Sequence, residues 1–573
     1  MKTLRRTRTW LRRSAVLLTA VAGVTLFSLR LVAQRGQDAA PADLLILNGK
    51  VYSAGTVNEA IAIRGRTIVG VGRAQDLERF RGPRTEVIDA RGRSVVPGFN
   101  DSHVHFLSGG LGLRDVDLAG VPSLRELQGK IRLFAQAKPD EPWVRGRGWL
   151  YSAFPGGLPI KDQLNEVVPD RPAVMVAYDG HTSWVNSKAL QAAGITAATP
   201  DPVNGVIVKD PKTGEPTGVL KESAQALLNR VVPRPTDADR RSALRAAVAE
   251  ANRLGVTSIQ NASGSADELK LYADAKAAGD LTVRASSALS ISPGFSEADA
   301  DRFETVRTLY GDDPVFRTGI VKIVADGVIE SRTAGMLAPY AGVAISGTPN
   351  YSAAELDRII AMMDKRGWQI MVHAIGDRTI RMTLDAFERA IAANPAPARG
   401  RRHRIEHIET IDAADIPRFG TLGVIASQQP MHVVLGDMNM LKPSGPWPDN
   451  LGPDRASRAW NWKSIRDAGG RVTFGSDWAV APLDPIQGMW VVTTRVTPTG
   501  MRDQKLPIAQ ALDGYTAWPA YASFDDQRKG TLATGMLADV VVLSRDIIAQ
   551  PPAKPTDVVV DMTIFDGRVV YRR

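Results

Sequence analysis

Ser94-Val95-Val96-Pro97-Gly98-Phe99-Asn100-Asp101-Ser102-His103-Val104-His105 is an apolar run that ends in a carboxylate and two histidines. Four later stretches repeat the pattern: 320–324 carrying Lys322, 369–372 before His373, 404–406 before His407, and 471–475 before Ser476-Asp477. Strands that each set a polar residue at the C-terminal end converge on one face of a (β/α)8 barrel, the face that carries the chemistry. The predicted fold is therefore α/β, a (β/α)8 TIM barrel. The histidines of His-x-His lie two apart and share a side only where the strand ends or bends. A tight turn after Pro97-Gly98 is the expected bend.

The barrel count closes at eight. Strand one is 94–99, followed by 256–260, 282–289, 320–324, a strand ending at His373, one ending at Glu406-His407, 423–427, and one ending at Asp477. The helical stretch 237–254 precedes the second strand. Between His105 and that helix, residues 107–235 break the rhythm and read as a large insertion at the catalytic face, rich in aromatics and loops. It contains Asp179-Gly180-His181-Thr182-Ser183-Trp184-Val185-Asn186.

Both ends of the chain have another texture. Short apolar runs punctuated by Asn48-Gly49, Arg64-Gly65 and Arg91-Gly92 read as small antiparallel strands, and the same pattern returns in 538–543, 558–564 and 567–571. Segments 43–93 and 530–573 are expected to build one composite β-sandwich domain around the barrel segment 94–529. Residues 1–33 carry seven basic side chains, no acid and an uncharged run over 14–29. That is the pattern of a signal peptide or, uncleaved, of an N-terminal membrane anchor. The body is expected to be exported, periplasmic or extracellular, with membrane association only through that segment.

Charge and cysteine content narrow the chemistry. The formal charge of +10 falls to +3 without those seven N-terminal cations, so no nucleic acid partner is expected. Cysteine is absent, which excludes disulfides and thiolate ligands. Histidine, carboxylate and modified lysine remain as donors. A lone strand-end histidine is ordinarily structural, but His103, His105, His373 and His407 are four of only seven and share strand ends with Asp477. This donor set suits a hard or borderline divalent ion, zinc first, with manganese or iron as alternatives. Lys322 at an apolar strand end must pair with an acid or lose its proton. A neutral lysine can take up carbon dioxide to form a bridging N6-carboxylysine; the plainer reading is a salt bridge. Glu406 is expected to point away from the ligands, and Asp377 to orient one of their imidazoles.

The array Pro97-Gly98-Phe99-Asn100-Asp101-Ser102-His103-Val104-His105, Val321-Lys322-Ile323, Asp326-Gly327, His373-Ala374-Ile375-Gly376-Asp377, Arg404-Ile405-Glu406-His407 and Gly475-Ser476-Asp477 resembles the metal-dependent amidohydrolase superfamily. It is most similar to the exoenzyme-like branch that includes N-substituted formamide deformylases. The likeness extends to Gln429-Pro430 and Gly530-Thr531-Leu532 and covers about residues 43–573. It implies ligation of one or two divalent metal ions, the number differing among family members, by His103, His105, Lys322, His373, His407 and Asp477, with Asp477 also handling the proton of the attacking water. His181, in the branch-specific insert, is the second implied catalytic residue. Glu330 stands where related chains carry a small residue, so a formamide substrate is not inherited.

The expected function is hydrolysis of a carbon–nitrogen bond other than a peptide bond, in a small-molecule amide, formamide or cyclic amide, by metal-activated water. A deaminase or an esterase with the same metal chemistry is the alternative enzyme. A non-catalytic, metal-stabilised envelope binding protein is the alternative outside catalysis. The oligomeric state is left open, with a homodimer allowed.

Overall fold

The computed structural model describes residues 40–53, 55–434, 444–496 and 502–573. The expected signal or anchor, 1–33, lies outside them. Among the described residues no helix is long and apolar enough to cross a membrane.

Eight parallel strands form the barrel: β1 (Phe99–Val104), β2 (Val256–Asn261), β3 (Arg284–Ile291), β4 (Phe316–Val324), β5 (Gln369–Ala374), β6 (Arg404–His407), β7 (Ile425–Gln428) and β8 (Arg471–Phe474). They pair in sequence order from β1 to β8. Closure between β8 and β1 rests on a few backbone bonds just past the end of β8. Asp477 N donates to His103 O at 2.7 Å and His105 N to Trp478 O at 2.6 Å. The bonds that shut the barrel therefore bring Asp477 to the His-x-His pair. Gly475 makes this approach possible, because a Cβ there would lie 2.6 Å from His103 N.

The expected first strand, 94–99, divides in two. Ser94–Pro97 pairs with Lys50–Ser53 and Val540–Leu543, outside the barrel, and β1 begins only at Phe99. Gly98 is the crossing point. A Cβ there would meet Thr257 Oγ1 at 2.1 Å, so the chain passes β2 only without a side chain. The bend that aims both histidines comes later than expected. Pairing of β1 with β2 shifts register twice, the second time opposite Asp101–Val104, immediately before His105.

Two smaller sheets stand beside the barrel. One joins Thr67–Gly72, Ala60–Arg64, Leu44–Leu47 and Glu86–Asp89; the other joins Arg568–Arg572, Val560–Phe565, Val540–Leu543, Ser94–Pro97, Lys50–Ser53 and Thr56–Asn58. Alternate residues of both, including Ile46, Ile61, Val95, Val540 and Ile564, share one apolar cluster. The buried Arg284 of β3 ties this unit to the barrel by pairing with Asp539 at 2.6 Å and Asp566 at 2.8 Å.

The insertion is more regular than its loop-rich sequence implied. Six strands pair in the order Gly205–Lys209, Pro216–Glu222, Thr182–Val185, Ala173–Ala177, Val144–Trp149 and Val116–Asp117. Trp149, Tyr151, Phe154 and Trp184 pack edge to face in its core. The aromatics that gave the segment its irregular look are therefore its hydrophobic centre. The helix Asp237–Arg253 returns the chain to the barrel, started by Thr236, whose side chain accepts from Asp239 N in a capping box.

Candidate metal centre

At the C-terminal ends of the strands, His103, His407 and Asp477 offer ligand atoms that all lie within 4.8 Å of one another, and all three residues are buried. His105 Nε2 is 3.1 Å and His103 Nε2 3.4 Å from the same oxygen, Asp477 Oδ1. Lys322 Nζ is 3.5 Å from His103 Nε2. The His373 and His407 rings meet edge to face at 4.5 Å, and the His103 and His407 rings at 4.9 Å. The six ligands named from the sequence are thus brought to one place.

Backbone geometry aims them. Asp477 has φ of 61° and His407 of 73°, left-handed values that cost a non-glycine residue about 1–3 kcal/mol and persist where the surrounding fold imposes them. At His407 this turn ends β6 so that Glu406 and His407, neighbours in sequence, both reach the centre. Glu406 does not point away as expected. Its Oε2 accepts from His103 Nδ1 at 2.6 Å, and Arg404 grips both its oxygens at 2.7 and 3.0 Å. Burial alone would raise the Glu406 pKa, but Arg404 and His103 hold it well below the usual carboxylate range. An ionised acceptor on Nδ1 fixes the proton there and leaves the Nε2 lone pair of His103 facing Asp477. His105 is oriented in the same way, with Ser263 Oγ 2.8 Å from its Nδ1.

Asp377 does not orient a ligand; its Oδ1 accepts from Leu337 N in a loop beyond β4. Asp326 stands by His373 instead, 3.5 Å from Nε2, while its oxygens accept from the backbone N–H groups of Gly335, Ile375 and Gly376. A fifth imidazole was not identified from sequence. His432 follows β7, lies 3.6 Å from Asp477 Oδ2, and stacks on His407 at 6.0 Å. Its place just after the Gln429-Pro430 pair at a strand end was the available signal.

The residues fit a cation. Asp477 Oδ1 and His407 Nδ1 are buried without a hydrogen-bond partner, although imidazole nitrogens crowd the carboxylate. Burial lowers the pKa of His373 and His407 well below the ordinary imidazole value, so both offer lone pairs at neutral pH. Burial likewise lowers the Lys322 pKa from the ordinary ammonium value, against the pull of Glu406 and Asp477.

His181 reaches the rim of this centre from the insertion, its ring 6.2 Å from that of His373. Gly180, at φ of 78°, turns the chain, and Asp179 Oδ1 accepts from His181 N. Burial would lower the His181 pKa, but Glu222, 2.8 Å from Nδ1, outweighs it and the imidazole is raised to about 9. A cavity of about 700 Å³ lies between the insertion and the segment after β4, lined by Tyr151, Phe154, Lys221, Arg332 and Glu330. Glu330 accepts there from the Tyr178 hydroxyl.

Comparison with known proteins agrees with this architecture. The sequence profile described as "Amidohydrolase family" matches residues 86–571. The Bacillus subtilis protein YtcJ is 32% identical over 540 residues, which span 91% of this chain and 97% of that one. An N-substituted formamide deformylase of Arthrobacter pascens is 29% identical, over 93% of this chain and 98% of its own. The crystal structure of an uncharacterized metal-dependent hydrolase from Pyrococcus furiosus superposes with a TM-score of 0.69 at 24% identity, covering 88% of this chain and 99% of that one, a likeness of fold.

Proposed function

This chain belongs to the amidohydrolase family, and from that premise we propose that it is a metal-dependent hydrolase that opens an amide-type carbon–nitrogen bond with water. The observation that carries the reading is the convergence of buried imidazoles on Asp477, with Asp477 Oδ1 and His407 Nδ1 among the buried atoms left without a hydrogen-bond partner. His103, His105 and Asp477 would hold one ion, and His373 and His407 a second. Nitrogen and oxygen donors of this kind favour zinc. Lys322, buried and beside His103, supports a carboxylated bridge between the two. A bound divalent cation supplies acidified water and polarises the scissile carbonyl.

The protein groups do the rest. Asp477 takes the proton of the attacking water and delivers it to the leaving nitrogen, which would otherwise depart as an amide anion. His181, kept cationic by Glu222, donates to the carbonyl oxygen as that oxygen gains charge. The exoenzyme-like branch is the finer assignment, supported by the formamide deformylase relative. The substrate is a linear or cyclic small-molecule amide, and Glu330 in the cavity wall argues against simple transfer of a formamide specificity. The basic head and apolar run of residues 1–33 support export to the periplasm or beyond.

The test is a screen of purified, metal-reconstituted protein against N-acyl amino acids, formamides, hydantoins and simple esters. Metal-dependent release of amine from at least one amide is the expected result. Turnover of esters alone would make it an esterase, and binding without turnover of any of these would leave a binding protein.

A further inference from the structure

At the opposite end of the barrel, where strands begin rather than end, a second cavity of about 430 Å³ is walled by Arg307, Arg317, Arg399 and Arg528, with Phe524. Glycines line it as well, and Gly319, at φ of 120°, occupies a conformation closed to other residues. The cations outnumber their partners. Arg307 pairs with Glu304, Arg317 and Arg528 share Asp312 and Asp525, and Lys529 draws on Asp525 again. Counting Arg399, the four guanidiniums of the cavity thus face three carboxylates, one of which, Asp525, also serves Lys529 outside it. Among the described residues Arg399 has no carboxylate within ion-pair distance; it donates to the carbonyls of Gly319 and Gly367 and lies 4.5 Å over the Phe524 ring. Asp312 sits at the rim with its side chain 75% exposed, so it leaves the interior of the cavity to the guanidiniums.

We propose that this pocket binds a small phosphate-bearing anion. The excess positive charge at this wall draws an anion, and guanidinium forks suit phosphate oxygens in a way a single ammonium does not. The volume of about 430 Å³ exceeds that of a bare phosphate and leaves room for an organic body, so a phosphomonoester is the better occupant than the inorganic ion. The proposal stands independently of the reaction at the other end of the barrel.

Isothermal titration of the metal-loaded full chain with glycerol phosphate, and separately with inorganic phosphate, tests it. Saturable binding is expected for both, tighter for the ester, and weaker in added salt. Arg399→Gln and Arg528→Gln should each weaken it by about tenfold or more, the scale of a lost charge-assisted bond, while Arg399→Lys loses part of that. Amide hydrolysis should stay unchanged in all three. The metal centre is the rival site for phosphate. Binding that survives the arginine variants but disappears in His103→Ala would overturn the proposal. So would no saturable binding at several times the ~1 mM that marks weak association, or binding no tighter than that of acetate. If one arginine variant fails to fold, the other decides.

Discussion

Glu406→Gln is the substitution whose consequences the structure determines most fully. The Glu406 and Arg404 side chains are both completely buried, joined by two hydrogen bonds, and the same carboxylate receives the His103 Nδ1 proton. Glutamine keeps the shape but has one oxygen and one NH2 for two donors. Whichever way it turns, its NH2 faces either the guanidinium or the imidazole N–H, and Arg404 loses its counter-charge. Breaking a buried pair in this way costs about 3–5 kcal/mol. Loss of the group that orients a ligand imidazole weakens metal binding by about 10- to 100-fold. The two effects can be separated. Arg404→Met with Glu406→Leu removes both charges, so much of the stability should return while metal affinity stays low. The assays are urea unfolding and elemental analysis after dialysis against buffered zinc. A Glu406→Gln protein with the wild-type midpoint and the wild-type zinc affinity would show that this carboxylate neither balances Arg404 nor orients His103.

Asp477→Asn should retain most of the metal and lose about 10²- to 10⁴-fold in kcat, the range of positioned acid–base groups, whereas His103→Ala should lose metal and activity together. Measuring metal content and kcat on the same preparations distinguishes them. Lys322→Ala should lose metal, and a short carboxylic acid should restore part of both occupancy and rate if a carbamate bridges the ions; a salt-bridge lysine would show no rescue. The His181 pKa is raised to about 9, so the contribution of its pair with Glu222 is full below the unfolded value near 6.5 and is lost as pH rises through about 9. The rate should therefore fall on that alkaline limb, and Glu222→Gln should move the limb to lower pH. An unchanged pH profile would remove His181 from the charge-stabilising role.

The barrel was legible because each strand ends in a polar residue that its apolar run does not need for packing, and because both chain ends repeat short strands between glycine turns. The register of the first strand was not legible. Ser94–Pro97 and Phe99–Val104 form one continuous apolar run, and only the closeness of Thr257 to Gly98 shows where the chain changes sheets. The site was read through ligand types at strand ends, and the six residues named that way lie together at one end of the barrel. Its supporting groups were missed for a common reason. Strand alternation sends Glu406 away from His407, but a left-handed turn at His407 cancels the alternation, and no sequence rule announces a positive φ at a histidine. Asp326 rather than Asp377 stands beside His373 because the chain folds back through Gly335 to place its N–H groups around that carboxylate.

Metal-dependent hydrolysis is tested most directly by following metal content and amide turnover together. The purified protein is stripped with a chelator and titrated with zinc while amine release from its best amide substrate is recorded. The rate should fall with the metal and return in proportion to occupancy, reaching a plateau at one or two ions per chain. Full hydrolysis by protein with no detectable metal would contradict the account.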